Sequence, residues 1–185
     1  PTVAALRKSG QRIVEAEAFT GSPGDSKWTE TPEWLKPIGD AAFCAGVNRL
    51  VLHRFVHQPW SSRYLPGVSM GQWGTHFDRT QTWWKDFPAM VQYWKRCQAL
   101  LQWGELAGDS IRIMENEGKL DIRTIGRTTN GATVYFLANT TREWGKATVL
   151  LPVKGLQPEC WNPVTGETEA VRNFTTTKDG TACTI

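Results

Sequence analysis

The chain contains no run of about 18 consecutive apolar residues, and its opening has no apolar stretch of the kind that leads a secretory signal. Neither a helical membrane span nor a retained signal segment is therefore expected. It starts at Pro1 and not at a methionine, which reads as a piece cut from a longer protein and leaves the compartment open. A dominant charge is missing too. The 21 Lys and Arg stand against 18 Asp and Glu, the formal net charge is +3, and the two signs are mixed along the whole length. No basic stripe tracks a phosphate backbone, so nucleic acid is not an expected partner. Cys44, Cys97, Cys160 and Cys183 are widely spaced and form no C-x-x-C pair, which argues against a zinc knuckle or a thioredoxin-type motif. They read as free thiols, with Cys44 and Cys97 on apolar faces of helical segments.

What the chain does have is tryptophan. There are ten, several of them between Trp60 and Trp103 among Gly, His, Gln and Arg. A flat indole packs on the apolar C–H face of a sugar ring while its N–H and polar neighbours reach hydroxyls. Large rings equally fill a core, and for the cluster as a whole both readings stand.

Residues 11–20, QRIVEAEAFT, alternate Glu with small and apolar residues and read as a short strand, followed by a loop, TGSPGD. Thr31-Pro32 resembles a helix N-cap with proline at the first helical position. Pro37 allows the regular helix to begin later, near Asp40, and Gly46 would end it. Asn48 to His57 reads as a second buried strand stopped by Gln58-Pro59. A long loop runs to about Asp86. From Phe87 to Trp103 the apolar positions recur at three- and four-residue steps, as in an amphipathic helix. Beyond residue 109 the texture changes to short strands, near Leu120–Ile125, Thr133–Ala138 and Ala147–Val153, with Asn130-Gly131 as a tight hairpin. The expected fold class is α/β plus all-β, with residues 1–109 forming one part and residues 110–185 a β-sandwich-like part.

Glu15 and Glu17 are two apart, so in a strand both point to one face while Ala16 and Ala18 point to the other. Ionised carboxylates on an inward face need cations or a chemical role. Pairing with Arg12, Arg49 or Arg54 is one reading; catalysis, with Glu17 nearer the strand's C-terminal end, is the other. His53 and His57 in a strand would be about 13 Å apart, too far for one metal ion, but both would face the same way. His57 would lie nearer the strand end, and a satisfied core histidine suits His53 better. In the long loop, Trp73, His76, Asp78, Arg79 and Trp84 could line a sugar subsite beside closely turning glycines.

Taken in order, AEAFTG, NRLVLHRFVHQP, PGVSMGQWGTHFDRTQTWW and YWKRCQALLQWGELAGD resemble glycoside hydrolase family 106, the α-L-rhamnosidases, over about residues 12–109. VYFLANTTREW and LQPECWNPVTGE resemble the same family's C-terminal β-rich region. One departure is a shorter stretch between the helix and that region than the family has. The resemblance implies a (β/α)8 barrel of which this chain holds the last two strands, inverting hydrolysis of terminal α-L-rhamnose from pectic or other plant glycans, and a bound calcium ion. It makes Glu17 the water-activating carboxylate with Glu15 as its neighbour, and His53, His57, Trp73, His76 and Trp84 the candidate sugar contacts. The proton donor and the rest of the barrel would come from an N-terminal portion of the same protein, for which a periplasmic or secreted location is expected. Two other readings remain: a carbohydrate-binding module that cleaves nothing, and a hydrolase of the same group acting on another sugar.

Overall fold

The computed structural model of the chain describes residues 8–185. They form a mostly β structure with two α-helices, α1 (Pro32–Cys44) and α2 (Phe87–Leu101). Strand β1 (Glu15–Ala18) runs parallel to β2 (Arg49–Leu52), and α1 lies between them in sequence, so the three make a β-α-β unit.

Helix α1 begins where the sequence places its cap. Thr31 is extended, its hydroxyl accepts the Trp34 N–H at 3.4 Å, and Pro32 follows in the first turn. Pro37 does not delay the helix, which runs through it. Leu35 and Phe43 are fully buried on the inner face, and that burial outweighs the one backbone hydrogen bond a proline forfeits. Asp40, 1% exposed, is held by Lys36 Nζ at 2.6 Å and by the hydroxyl of Tyr93 of α2 at 2.6 Å. Burial and Asp40 push the Tyr93 phenol far above its usual range, so it stays protonated and donates.

The apolar face of α2 matches its periodicity. Phe87, Met90, Tyr93, Trp94, Cys97 and Leu101 are all buried. Phe77 is the hub of this core, with ring contacts to Phe19, Trp83, Phe87 and Trp94 at 5.2–6.4 Å. Polar side chains of α2 also tie it to β2. Gln98 Oε1 accepts the Leu50 N–H at 2.7 Å, and Gln102 Nε2 donates to the Asn48 carbonyl at 2.7 Å.

Both expected strands are shorter than their patterns suggest. The first, expected over 11–20, is confined to Glu15–Ala18, because Phe19 turns the chain at φ 65°. The second, expected from Asn48 to His57, stops at Leu52. His53 N–H still reaches the Ala18 carbonyl (3.1 Å), but Arg54 N–H turns to Thr75 (2.8 Å) and its carbonyl accepts from Phe77 (3.0 Å). The backbone thus leaves β1 to pair with the loop. His53 and His57 therefore do not share a strand face, contrary to the expectation from their spacing.

The β-rich part opens earlier than residue 110. Strand β3 (Glu105–Leu106) pairs with β5 (Ile122–Thr129), which pairs in turn with β6 (Ala132–Asn139) across the expected Asn130-Gly131 hairpin. A second antiparallel sheet has the order β10 (Phe174–Thr177), β11 (Gly180–Thr184), β7 (Lys146–Leu151), β4 (Arg112–Glu117), and β8 (Glu159–Trp161) with β9 (Thr168–Ala170) forms a small hairpin. Ile111, Val149 and Cys183 form a core flanked by Tyr135 and Leu137 of β6, so the two sheets share it. Helix α1 also packs on β5 and β6, with Phe43 edge-on to Phe136 at 6.0 Å. The two halves are joined by packing as well as by chain.

Among the described residues no helix is long and apolar enough to cross a membrane. The four cysteines are free.

Candidate active site

The parallel register sets the face that carries the carboxylates. Glu15 stands beside Arg49 and Glu17 beside Val51. Ala18 is buried against the helix layer while Glu15 and Glu17 are exposed, as the alternation predicts. Glu15 is paired with Arg49 at 2.7 Å, and both side chains are about half exposed, so the ion pair is a surface pair and not a buried network. Arg12 is occupied elsewhere, 3.5 Å from Glu105. Glu17 has no cation partner among the described residues. Its Oε1 accepts the Thr20 hydroxyl at 2.7 Å, which fixes the carboxylate near the strand's C-terminal end.

The 71–78 segment of the long loop packs onto that end. Thr75 N–H donates to the Phe19 carbonyl and Gly74 N–H to the Gly21 carbonyl, each at 3.0 Å. At Gly74, with φ 73°, a Cβ would lie 2.2 Å from His53 Nδ1, so only glycine lets the loop approach this closely. His53 is half-buried, and its Nδ1 has no partner among the described residues. Trp73 is 46% exposed beside it.

Arg54 is the pin of this loop. Its guanidinium donates to the carbonyls of Trp73 (2.7 Å) and Gly71 (2.9 Å) and to His76 Nε2 (2.5 Å). A guanidinium only donates, so His76 Nε2 is the acceptor and the imidazole is neutral, with its proton on Nδ1. Burial, with Arg54 second, holds His76 below the usual histidine pKa, against smaller upward pulls from Asp78, the Gly71 carbonyl and Glu30. Trp28 stacks on the buried His76 ring at 3.5 Å and 18°. Asp78, 1% exposed, accepts from the Thr80 N–H at 2.8 Å and from the Thr80 hydroxyl.

The structure thus brings Glu17, His53, Trp73 and His76 to one region through backbone pairing, with His76 beneath the surface. His57 stands apart: it is exposed, bridges Val68 through its backbone and packs edge-on to Trp60 at 5.7 Å. Trp84 stacks on Phe87 at 5.5 Å and, with Phe55, Val56, Gln58, Asp78 and Arg79, lines a cleft of about 260 Å3. Two members escape the sequence reading. Trp28 lies in a Gly/Ser/Asp loop with no periodicity to flag it. Arg54 presents itself there only as a partner for the glutamates, whereas its fork closes on carbonyls nearly 20 residues away.

Among the described residues no three His, Cys, Asp or Glu side chains come together as a metal site. These residues alone do not fit the calcium that the family resemblance implies.

A parallel strand pair joined by a helix, with a carboxylate at the strands' C-terminal end, puts an ionisable group where α/β folds carry their active sites. The family model of the α-L-rhamnosidases of glycoside hydrolase family 106 matches residues 3–121, and the chain belongs to that family. A protein named putative beta-glucuronidase from Formosa agariphila is 43% identical over 101 residues, which is 55% of this chain and 8% of that protein. A solved rhamnosidase from Novosphingobium sp. PP1Y superposes on 99% of the chain with a TM-score of 0.84 at 17% identity, a likeness of fold. This chain spans 31% of that structure.

Proposed function

We propose that this chain supplies one half of the active site of an inverting glycoside hydrolase that releases terminal α-L-rhamnose from plant glycans such as pectins. Glu17 is the general base. The observation that supports this is its setting: an exposed carboxylate with no cation partner among the described residues, held by Thr20 at the C-terminal end of a parallel strand pair on which the 71–78 loop packs. Glu17 takes a proton from a water whose oxygen attacks the anomeric carbon. The glycosidic oxygen leaves on the opposite side and is protonated by a second carboxyl group roughly 6.5–9.5 Å away. That acid belongs to a longer chain, in which β1 and β2 are the last two strands of a (β/α)8 barrel. The calcium ion would draw its ligands from there too.

Glu15, committed to Arg49, shapes the field beside Glu17 and transfers no proton. His53 and Trp73 contact sugar from the loop side and His76 supports them from below, while His57 and Trp84 lie outside this group. A second reading keeps the mechanism and changes the sugar; the name carried by the Formosa protein favours it.

The test is Glu17→Gln in the full-length protein, assayed on an aryl α-L-rhamnoside. Loss of a general base lowers turnover by roughly 10²–10⁴-fold. Turnover within a few-fold of wild type would overturn the assignment, and wild-type turnover of an aryl glucuronide in place of the rhamnoside would select the second reading.

A further inference from the structure

We infer that the β-rich part carries a second carbohydrate-binding site, separate from the Glu17 face, that seats one pyranose unit of a glycan against Trp144. The identity of that sugar as rhamnose rests on the proposed function; the site does not.

Trp144 is 97% exposed, more than any other large apolar side chain of the described residues. An indole this exposed keeps its flat apolar face and its N–H free for a ligand. Trp144 is one of the residues that line a cleft of about 260 Å3, together with the apolar Leu120, Ile122, Leu137 and Ile185 and the polar Asn139 and Glu143. An apolar hollow with few polar groups at its edge is the usual make-up of a small-molecule site, and this one is smaller than the 300–1,000 Å3 typical of drug-sized ligands. It suits a single ring.

The turn that presents Trp144 is fixed in place. Asn139 Oδ1 accepts the Thr141 N–H (3.0 Å) and hydroxyl (2.9 Å), and Asn139 Nδ2 donates to the Glu143 carbonyl at 2.8 Å. Glu143 N–H in turn donates to the Thr141 hydroxyl at 3.2 Å. On the far side of Trp144, a Cβ on Gly145 would meet the Glu117 carbonyl at 2.1 Å, so the chain lies directly on the end of β4. Binding to such a turn costs little ordering entropy.

The chemistry on offer fits a sugar. The indole takes the C–H face of a ring, and the Glu143 carboxylate, with no hydrogen-bond or ionic partner among the described residues, accepts from ring hydroxyls. The Leu and Ile walls suit the methyl group of a 6-deoxy sugar better than a hydroxymethyl or a carboxylate, either of which would lose its hydration there. The supporting strands β5, β6 and β7 contribute nothing to the Glu17 face, so the two sites can be perturbed independently.

The experiment uses the full-length protein and the variants Trp144→Ala, Trp144→Phe and Glu143→Gln. Retention is measured by affinity electrophoresis in gels containing a rhamnose-rich or a rhamnose-free polysaccharide, with aryl α-L-rhamnoside turnover and melting temperature followed in parallel. Trp144→Ala is expected to weaken retention by about tenfold, the equivalent of one well-stacked aromatic contact. Trp144→Phe recovers part of that, Glu143→Gln weakens retention less, and turnover and melting temperature hold. Retention of the wild type only by the rhamnose-free polysaccharide, abolished by Trp144→Ala, supports the site while refuting its sugar. Retention unchanged in Trp144→Ala overturns the proposal, and so does a drop in melting temperature in that variant, which would assign the cleft to a covering segment of the longer protein.

Discussion

Replacing Arg54 with Met tests whether one guanidinium holds the loop over the candidate site. Methionine keeps much of the length and apolar stem and removes three donated hydrogen bonds, to the carbonyls of Gly71 and Trp73 and to His76 Nε2. At about 1 kcal/mol net for each, plus about 1–3 kcal/mol for leaving the buried His76 Nε2 without a partner, the gross loss is about 4–6 kcal/mol. Two things reduce it. Arg54 Nε is itself buried without a partner, so its removal relieves a penalty, and bonds in one network do not add in full. The expected loss is about 2–4 kcal/mol of local stability.

The readout is amide hydrogen exchange in the full-length protein at Arg54, Thr75 and Phe77, whose N–H groups close the loop onto the strand ends. Their opening free energy should drop in Arg54→Met while amides in β5 and β6 hold. A second signature comes from His76. Its folded-state pKa is depressed, by burial first and Arg54 second, so its neutral form contributes stability that is complete above the unfolded value near about 6.5 and is lost as pH falls below it. For one proton the slope is at most about 1.4 kcal/mol per pH unit. Arg54→Met removes one of the two causes, so the acid-side loss should be shallower in the variant. Unchanged exchange at Thr75 and Phe77, or an identical pH slope, would refute the role given to Arg54.

Other consequences are simpler to read. Cys44 and Cys97 thiols are pushed up to about 12 and about 11 by burial, so neither should be alkylated by iodoacetamide at pH 8 in the native protein, while the exposed Cys160 reacts. Gly104→Ala should destabilise the junction of the two halves by more than about 1 kcal/mol, since φ is +60° and the new Cβ would sit 2.1 Å from the Thr128 carbonyl; a chemical-denaturation midpoint equal to wild type would contradict this. Tyr93→Phe removes one of two bonds to the buried Asp40 and should cost about 1–3 kcal/mol in the same measurement, with Asp40→Ala costing less than the buried charge left by Lys36→Met.

The helices were legible because their signals are local. Thr31-Pro32 caps α1 whatever surrounds it, and the three- and four-residue spacing of Phe87, Met90, Trp94, Cys97 and Leu101 buries one face of α2. The Asn130-Gly131 hairpin was legible for the same reason: Gly131, at φ 139°, supplies the backbone conformation that a two-residue turn needs. The strand ends were not. His53 to His57 keeps the apolar alternation of a strand, and only the competing partner, the Thr75–Phe77 backbone some 20 residues on, takes those residues away. The site was legible to the same degree. Glu15 and Glu17 are read from a period of two, but the pin at Arg54 and the ring of Trp28 over His76 are long-range contacts with no periodic trace.

Two glutamates on one strand face end in different states, and the register between β1 and β2 is what separates them. Glu15 falls opposite Arg49 and is held in a half-exposed ion pair, while Glu17 falls opposite Val51, has no cation partner among the described residues and accepts from the Thr20 hydroxyl. A hydroxyl orients a carboxylate and leaves it open to a further partner, whereas the guanidinium at 2.7 Å occupies Glu15 with a charged one. A shift of one residue would turn both side chains to the helix face, where Ala16 and Ala18 now pack, and would need two carboxylates buried against α1 and α2. That cost fixes the register, and the register delivers Arg49 to one glutamate and an apolar neighbour to the other. The difference between an ion-paired glutamate and one held only by a hydroxyl is therefore written in the spacing of Arg49 and Val51 as much as in the glutamates themselves.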